Sequence, residues 1–256
     1  MYAEERRQAL VAQAHSDGRV SVAEAALQFD VTPETIRRDL ETLDREGALR
    51  RVHGGAIPSE FSLLGDLNLL DREGAASSQK DRIAAAATRW LPTQPGATVL
   101  MDAGTSTARL AALVPPASRF TCFTHSLPVA ASLSTRTRVD VQFLGGRVRG
   151  VTQACVGPMA LSMLRRLRVD VAFMGTNGVS LMHGLSTPDP DEAAIKEAMV
   201  KAAHTVVVLA DSRKIGAETT TSFASLDAVS VLVTDHGITP TQHRRLTERG
   251  IEVVIA

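Results

Sequence analysis

Apolar positions change their rhythm once along this chain, near residue 80. Before that point they recur at helical spacing. Residues 3 to 15 carry Ala3, Leu10, Val11 and Ala14 among charged neighbours, and Asp17 with Gly18 offers a turn that ends the segment. Val22, Ala25, Ala26 and Phe29 make a second stripe, with Ser21 as N-cap and Glu24 three residues on as its capping-box partner. Ile36, Leu40 and Leu43 make a third, opened by Thr32 as N-cap and by Pro33 at the first helical position, where a missing N–H costs nothing. That helix runs to about Glu46 and stops at Gly47. "ALRRVHGGAI" then offers two short extended segments around an Arg-Arg pair and a Gly-Gly turn, as a small β wing does.

Residues 58 to 78 lose periodicity and read as a linker. Beyond them, short apolar runs alternate with helical stretches. "TVLMDAG", "FTCFTH", "VDVQFLGG", "VDVAFMGTNG", "TVVVLADS", "VSVLVTD" and "IEVVIA" are strands; "KDRIAAAATRWL", "STARLAALV", "LPVAASLS", "DEAAIKEAMVKAA" and "TPTQHRRLTERG" are helices. Strands apolar on both faces and joined by helices predict a mostly parallel α/β sheet covered on both sides. The division expected is a winged helix-turn-helix over residues 1 to 57, a linker over 58 to 78 and an α/β domain over 79 to 256.

Composition sharpens this in two places. The 256 residues hold 28 basic and 28 acidic side chains, so bulk attraction to nucleic acid or to an anionic membrane is excluded, and DNA binding has to come from local placement. Residues 1 to 57 are themselves not net basic, with eight Lys and Arg against ten Asp and Glu. Cys122 and Cys155, far apart, suit neither a disulfide framework nor a zinc site. No apolar run reaches the roughly 18 residues of a membrane span and the N-terminus is charged from residue 4, so a cytoplasmic protein with no membrane partner is expected. No metal or cofactor motif is present.

The third helix admits two readings. Glu34 with Arg38 and Glu41 with Arg45 are i, i+4 pairs in the favourable order, which suits a salt-bridged surface helix. Against that, Thr32, Pro33, Glu34, Thr35, Arg37 and Arg38 crowd the N-terminal end, the end a helix-turn-helix inserts into the major groove, with Ser21 at the start of the preceding helix and Arg51 and His53 in the wing beside backbone phosphates or the minor groove. Position favours DNA over a protein-interaction module.

In the α/β part, ligands of open parallel sheets sit outside the carboxyl ends of the strands. The candidates there are Asp102, Ala103, Gly104, Thr105, Ser106 and Thr107; His125 and Ser126; Gly145, Gly146 and Arg147; Gly175, Thr176, Asn177 and Gly178; and Asp211, Ser212, Arg213 and Lys214. "DAGTSTARL" sets a glycine and three hydroxyl residues at a strand-to-helix turn, where free amides and the helix dipole favour a phosphate; an ordinary capped turn reads the same way. Lys214 at the same edge offers a point charge or is a solvated lysine. Glu192 and Lys196, with Asp189 and Asp191, either recognise sugar hydroxyls or form a surface ion pair at a helix start. His183 lines the pocket or sits on an exposed loop. An isomerase or deaminase needs a second positioned carboxylate beside Asp102, and the loops offer a convincing one only if Asp189 or Glu192 turns inward.

"GRVSVAEAALQFDVTPETIRRDLETLDREGALRRVHGGA" closely resembles the winged helix-turn-helix signature of DeoR-type bacterial transcription regulators. "DAGTSTARLA", "THSLPVA", "LGGRV", "GTNGVS", "GLSTPD", "EAAIKEAMVKAA", "VLADSRKIG" and "VTD" resemble that family's sensor domain in order, so the resemblance covers essentially the whole chain. It implies a sensor fold like ribose-5-phosphate isomerase and glucosamine-6-phosphate deaminase, a sugar phosphate held by the turn at 104 to 107 and by Lys214, a regulator rather than an enzyme, and a homodimer or homotetramer on double-stranded operator DNA. His125 stands where the family usually has asparagine. "LGGRVRGVTQACVG" and "GLSTPDPDEAA" look most like the subgroup governing fructose uptake, whose effector would be fructose 1-phosphate.

Overall fold

The computed structural model describes residues 3–17, 20–46, 48–52, 54–58, 76–135 and 138–256. The chain divides into two compact units, Met1–Gly65 and Asp66–Ala256.

In the first unit, α1 (Ala3–Asp17), α2 (Val22–Gln28) and α3 (Pro33–Arg45) surround one core, joined by β1 (Val20–Ser21), β2 (Leu49–Val52) and β3 (Gly55–Pro58). Leu10, Ala14, Val22, Ala25, Ala26, Ile36, Leu40 and Leu43 fill it, the residues the helical spacing puts inward. Thr32 caps α3 by accepting the Thr35 N–H at 3.2 Å, and Pro33 stands in the first turn. Ser21 caps α2 more loosely, at 3.5 Å from the Glu24 nitrogen, because it also belongs to β1. β3 lies between β1 and β2, both antiparallel to it, which makes the wing three-stranded. Gly55 allows this: a Cβ there would fall 1.9 Å from the Val20 carbonyl oxygen. Gly47, His53 and residues 59–75, most of the expected linker, lie outside the described residues.

The second unit is built on a seven-stranded sheet. Its elements are α4 (Ser77–Ala87), β4 (Ala97–Met101), α5 (Thr105–Ala112), β5 (Phe120–Thr124), α6 (Leu127–Ser134), β6 (Asp140–Phe143), β7 (Arg147–Arg149), β8 (Ala154–Val156) and α7 (Pro158–Leu164). There follow β9 (Val169–Gly175), β10 (Gly178–Ser180), β11 (Gly184–Thr187), α8 (Pro190–Ala202), β12 (Ala203–Leu209), β13 (Thr221–Ala224), β14 (Val231–Thr234), α9 (Pro240–Thr247) and β15 (Glu252–Ile255).

The sheet order is β15-β14-β12-β9-β4-β5-β6, and every pairing within it is parallel. Along β4, β9, β12 and β14, alternate side chains enter two different cores. Leu100, Ala172, Val208 and Leu232 pack with α8 residues such as Ile195 and Met199. Val99, Met101, Phe173 and Val207 pack with Ile83, Ala84, Leu110 and Val129 of α4, α5 and α6. The mostly parallel α/β sheet is as expected. Five short strands were not: β7 pairs β8, and β10, β11 and β13 form a small antiparallel sheet. At three or four residues each, they are too short for alternation to register.

Candidate functional site

The outward face of α3 carries its charges in loose pairs. Glu34 meets Arg37 at 3.3 Å and Arg38 at 3.9 Å, and the Arg38 side chain is 79 % exposed. The expected Glu41–Arg45 pair does not form; the Arg45 guanidinium turns instead to the Glu41 backbone carbonyl and the Thr42 hydroxyl. Thr32 and Thr35 share a hydrogen bond between their hydroxyls at 2.9 Å. Arg51 is exposed on the wing, its N–H donating to Asp44 Oδ1 at 3.1 Å, which ties β2 to α3. The near-cancelling charge of α3 also has a hidden member. Asp39 faces inward and pairs with Arg6 of α1 at 2.6 Å, both side chains about nine-tenths buried, so it does not offset the exposed arginines as a surface acid would.

The carboxyl edge of the parallel sheet gathers most of the other candidates. Asp102, two residues inside the turn that opens α5, is fully buried. Its Oδ2 accepts from Lys196 Nζ and from the Gly175 N–H at 2.8 Å; its Oδ1 accepts from the Ala103 N–H at 2.8 Å and meets His125 Nε2 at 3.0 Å. Burial alone pushes this carboxyl up, but Lys196 and His125 outweigh it and hold it at about 2. Lys196 spends a further donor on the Gly175 carbonyl at 3.0 Å, and His125 Nδ1 faces the Cys155 carbonyl at 2.9 Å. Glu192 does not pair with Lys196; it accepts from Arg149 at 3.2 Å and from Thr152. Arg149 also reaches Asp189, the N-cap of α8, at 3.1 Å, and Arg147 pairs with Asp191 on the exposed rim. Apart from Arg147 and Asp191, these carboxylates and cations are therefore engaged with one another in the interior, rather than in the surface pair that the i, i+4 spacing suggested.

Gly104 precedes α5 in extended backbone, and Thr105, Ser106 and Thr107 form its first turn, all buried. As first-turn residues, their amides have no intrahelical carbonyl to donate to. Thr107 Oγ1 donates back to the Gly104 carbonyl at 2.9 Å. Arg109, which the sequence reading passed over, ties this turn to α4 through the Thr105 carbonyl, Asp81 at 2.7 Å and Ser77 at 3.0 Å. Lys214 crosses from the end of β12 to donate to the Thr176 carbonyl, at the end of β9, at 2.8 Å.

Other candidates have local structural reasons. Ser126 caps α6, accepting the Val129 N–H at 3.3 Å. Asn177 Oδ1 accepts from Thr187 at 3.3 Å. Gly178 is glycine because a Cβ would sit 2.4 Å from the Ala217 carbonyl oxygen. Gly146 stands just before β7, and His183 Nε2 meets the Thr219 carbonyl at 3.0 Å, away from Asp102's partners.

Residues 6–60 match the model of the DeoR-like helix-turn-helix domain, and residues 75–236 match that of the DeoR C-terminal sensor domain. The chain belongs to the DeoR family. The HTH-type transcriptional regulator GlpR of Haloferax volcanii is 35% identical over 98% of this chain and 97% of its own. The uncharacterized HTH-type transcriptional regulator FruR of Bacillus subtilis is 33% identical over 92% of each. Among solved structures, ribose 5-phosphate isomerase from Plasmodium falciparum aligns with 54% of this chain and 52% of its own at 13% identity, with a TM-score of 0.38. As a DeoR-family member matched from end to end by regulators, the protein is a transcriptional regulator and not an isomerase or deaminase. Among the described residues, no helix is long and apolar enough to cross a membrane.

Proposed function

We propose that this DeoR-family regulator is a cytoplasmic repressor of sugar uptake and metabolism genes, released from its operator by a phosphorylated sugar, with fructose 1-phosphate favoured. Thr32, Pro33, Glu34, Thr35, Arg37 and Arg38 read the major groove, Ser21 and the wing residues Arg51 and His53 contact the backbone, and two or four copies match a symmetric site. The observation that carries the effector half is the turn at Gly104, Thr105, Ser106 and Thr107. Its first-turn amides and the dipole of an eight-residue helix favour a phosphate, and the Lys214 ammonium stands at the same sheet edge. Gly146, Arg147, Gly175, Asn177 and Gly178 shape the surroundings. Asp102, His125 and Lys196 tie the ends of β4, β5 and β9 together beside that turn, while Glu192 anchors Arg149 and Thr152 and Ser126 caps α6. The name FruR, carried by a relative 33% identical, supports the fructose assignment.

For the ligand to switch occupancy, it must bind the DNA-free arrangement more tightly, and a difference of about 1.4 kcal/mol shifts the equilibrium tenfold. The test is operator binding titrated with sugar phosphates for the wild type and for Lys214→Met. Wild type should release DNA at sub-millimolar fructose 1-phosphate; Lys214→Met should bind the operator equally well and need at least tenfold more ligand. Operator affinity unmoved by every sugar phosphate at millimolar concentration would end the effector half of the reading.

A further inference from the structure

Asp211 follows β12 at the same sheet edge and is 1 % exposed. Its Oδ1 takes the Arg213 Nε at 2.9 Å, while among the described residues no donor reaches its Oδ2, which is itself buried. Leaving a buried carboxylate oxygen without a donor is costly in a finished fold, and such a group points to a partner that arrives later. Burial pushes the Asp211 carboxyl up, yet Lys214 first, then Arg213 and Lys80, outweigh it and keep the group below the usual carboxylate range, hence ionised.

The surroundings decide what kind of partner fits. Three cations already neutralise the carboxylate, so a further metal ion or ammonium gains little, and the described residues include no cluster able to hold a metal. A phosphate oxygen is itself an acceptor and brings no hydrogen to an oxygen that can only accept. A neutral donor is left, and a hydroxyl is the one a sugar supplies.

Position agrees. β12 stands two strands from β4 in the order β12-β9-β4, which at the usual interstrand spacing is roughly 10 Å. That is about the reach of an extended sugar phosphate whose phosphate rests on the Thr105, Ser106 and Thr107 amides, and Lys214 spans the interval by bonding at the end of β9.

We infer that Asp211 is a specificity residue of the effector site, accepting a hydrogen bond through Oδ2 from a hydroxyl at the end of the sugar remote from the phosphate. The inference rests on the effector-site reading above. Lys214 and the α5 amides take the charge common to all phosphates, and Asp211 takes what distinguishes a sugar phosphate from phosphate itself.

The test compares fructose 1-phosphate with inorganic phosphate, which has no sugar hydroxyl, as stabilisers of the full chain in thermal melts and as ligands in calorimetry. Asp211→Asn preserves shape and removes the charge; Asp211→Ala removes the group. Both should weaken fructose 1-phosphate binding by about ten- to a hundredfold, the loss expected for a hydrogen bond to a charged acceptor, and leave inorganic phosphate binding unchanged or slightly tighter. Equal weakening of both ligands would mark Asp211 as merely structural, and no change in either would remove it from the site. Both outcomes overturn the inference while leaving the effector site standing. If the wild type binds neither ligand, the effector-site reading falls first and the inference with it.

Discussion

The two units treat charge in opposite ways. On the outer face of α3, Glu34, Arg37 and Arg38 meet at 3.3 and 3.9 Å with side chains 55 to 79 % exposed. At the sensor's sheet edge, Asp102 and Lys196 are in contact with 0 and 4 % of their side chains exposed. An exposed pair is held by a few tenths of a kcal/mol and is easily exchanged for another partner such as a DNA phosphate. A buried pair has given up its water, and breaking it leaves a charge with nothing to replace that water. Availability for a partner therefore differs more between the two places than charge count does. Arg37 and Arg38 can change partners at little cost, while Lys196, Glu192 and His125 are committed to the fold.

The comparison breaks most sharply at Lys196. Lys196→Met removes the cation and leaves Asp102 buried without it, which should cost the sensor unit about 3–5 kcal/mol, read from its denaturant-unfolding transition in the full chain at neutral pH. The deficit should shrink in acid. Asp102 sits at about 2 in the fold against an ordinary 3.8, so in the wild type its contribution is complete above about pH 4 and is lost as pH falls toward 2. A Lys196→Met protein as stable as wild type, yet blind to effector, would instead make Lys196 a ligand contact.

The same contrast explains what could be read from the sequence. Helical spacing and cap residues gave Thr32, Pro33 and the stripe Ile36, Leu40 and Leu43 directly, and the apolar strands gave the sheet. Turn residues at strand ends located the candidate edge. Which of those residues face one another was not legible, because Asp102 and Lys196 are 94 positions apart. A signal was nevertheless present. Arg6 lies four residues before Leu10, Asp39 three after Ile36, Lys80 three before Ile83 and Lys196 three before Met199, each on an inward stripe, and all four are buried. A charge on the apolar face of a predicted helix announces a buried partner, even where spacing cannot say which. Asp211 was legible only as one of the residues that follow a strand, and nothing in the spacing marked its oxygen left unmet.

On the exposed side, Arg38→Ala sharpens the comparison. Folding stability should change by less than about 0.5 kcal/mol, because the Glu34 contact at 3.9 Å lies in solvent. Operator affinity should fall by about 1–3 kcal/mol, roughly ten- to a hundredfold, if Arg38 meets a base edge, with the loss largest for one position of the operator. A loss equal on all sequences, with a reduced salt slope, would assign it to phosphate. Unchanged affinity would return α3 to a salt-bridged surface helix.

The smallest effect belongs to Glu34. It restrains both arginines, and as an exposed acid at the end of α3 proposed to enter the groove it would oppose phosphate, but it also stands at the start of α3 where a negative charge suits the helix dipole. Glu34→Gln should therefore lower folding stability by a few tenths of a kcal/mol at most. Operator affinity should rise slightly at low salt, severalfold at most, with the gain fading as salt screens it. The alternative chemistry for a glutamate in the major groove is to accept from the amino group of a cytosine. Then Glu34→Gln would lose affinity at one operator position at every salt concentration. Titration at two ionic strengths on the operator and on a scrambled duplex separates the outcomes, because release of the arginines raises affinity for both duplexes and a lost base contact lowers it for one.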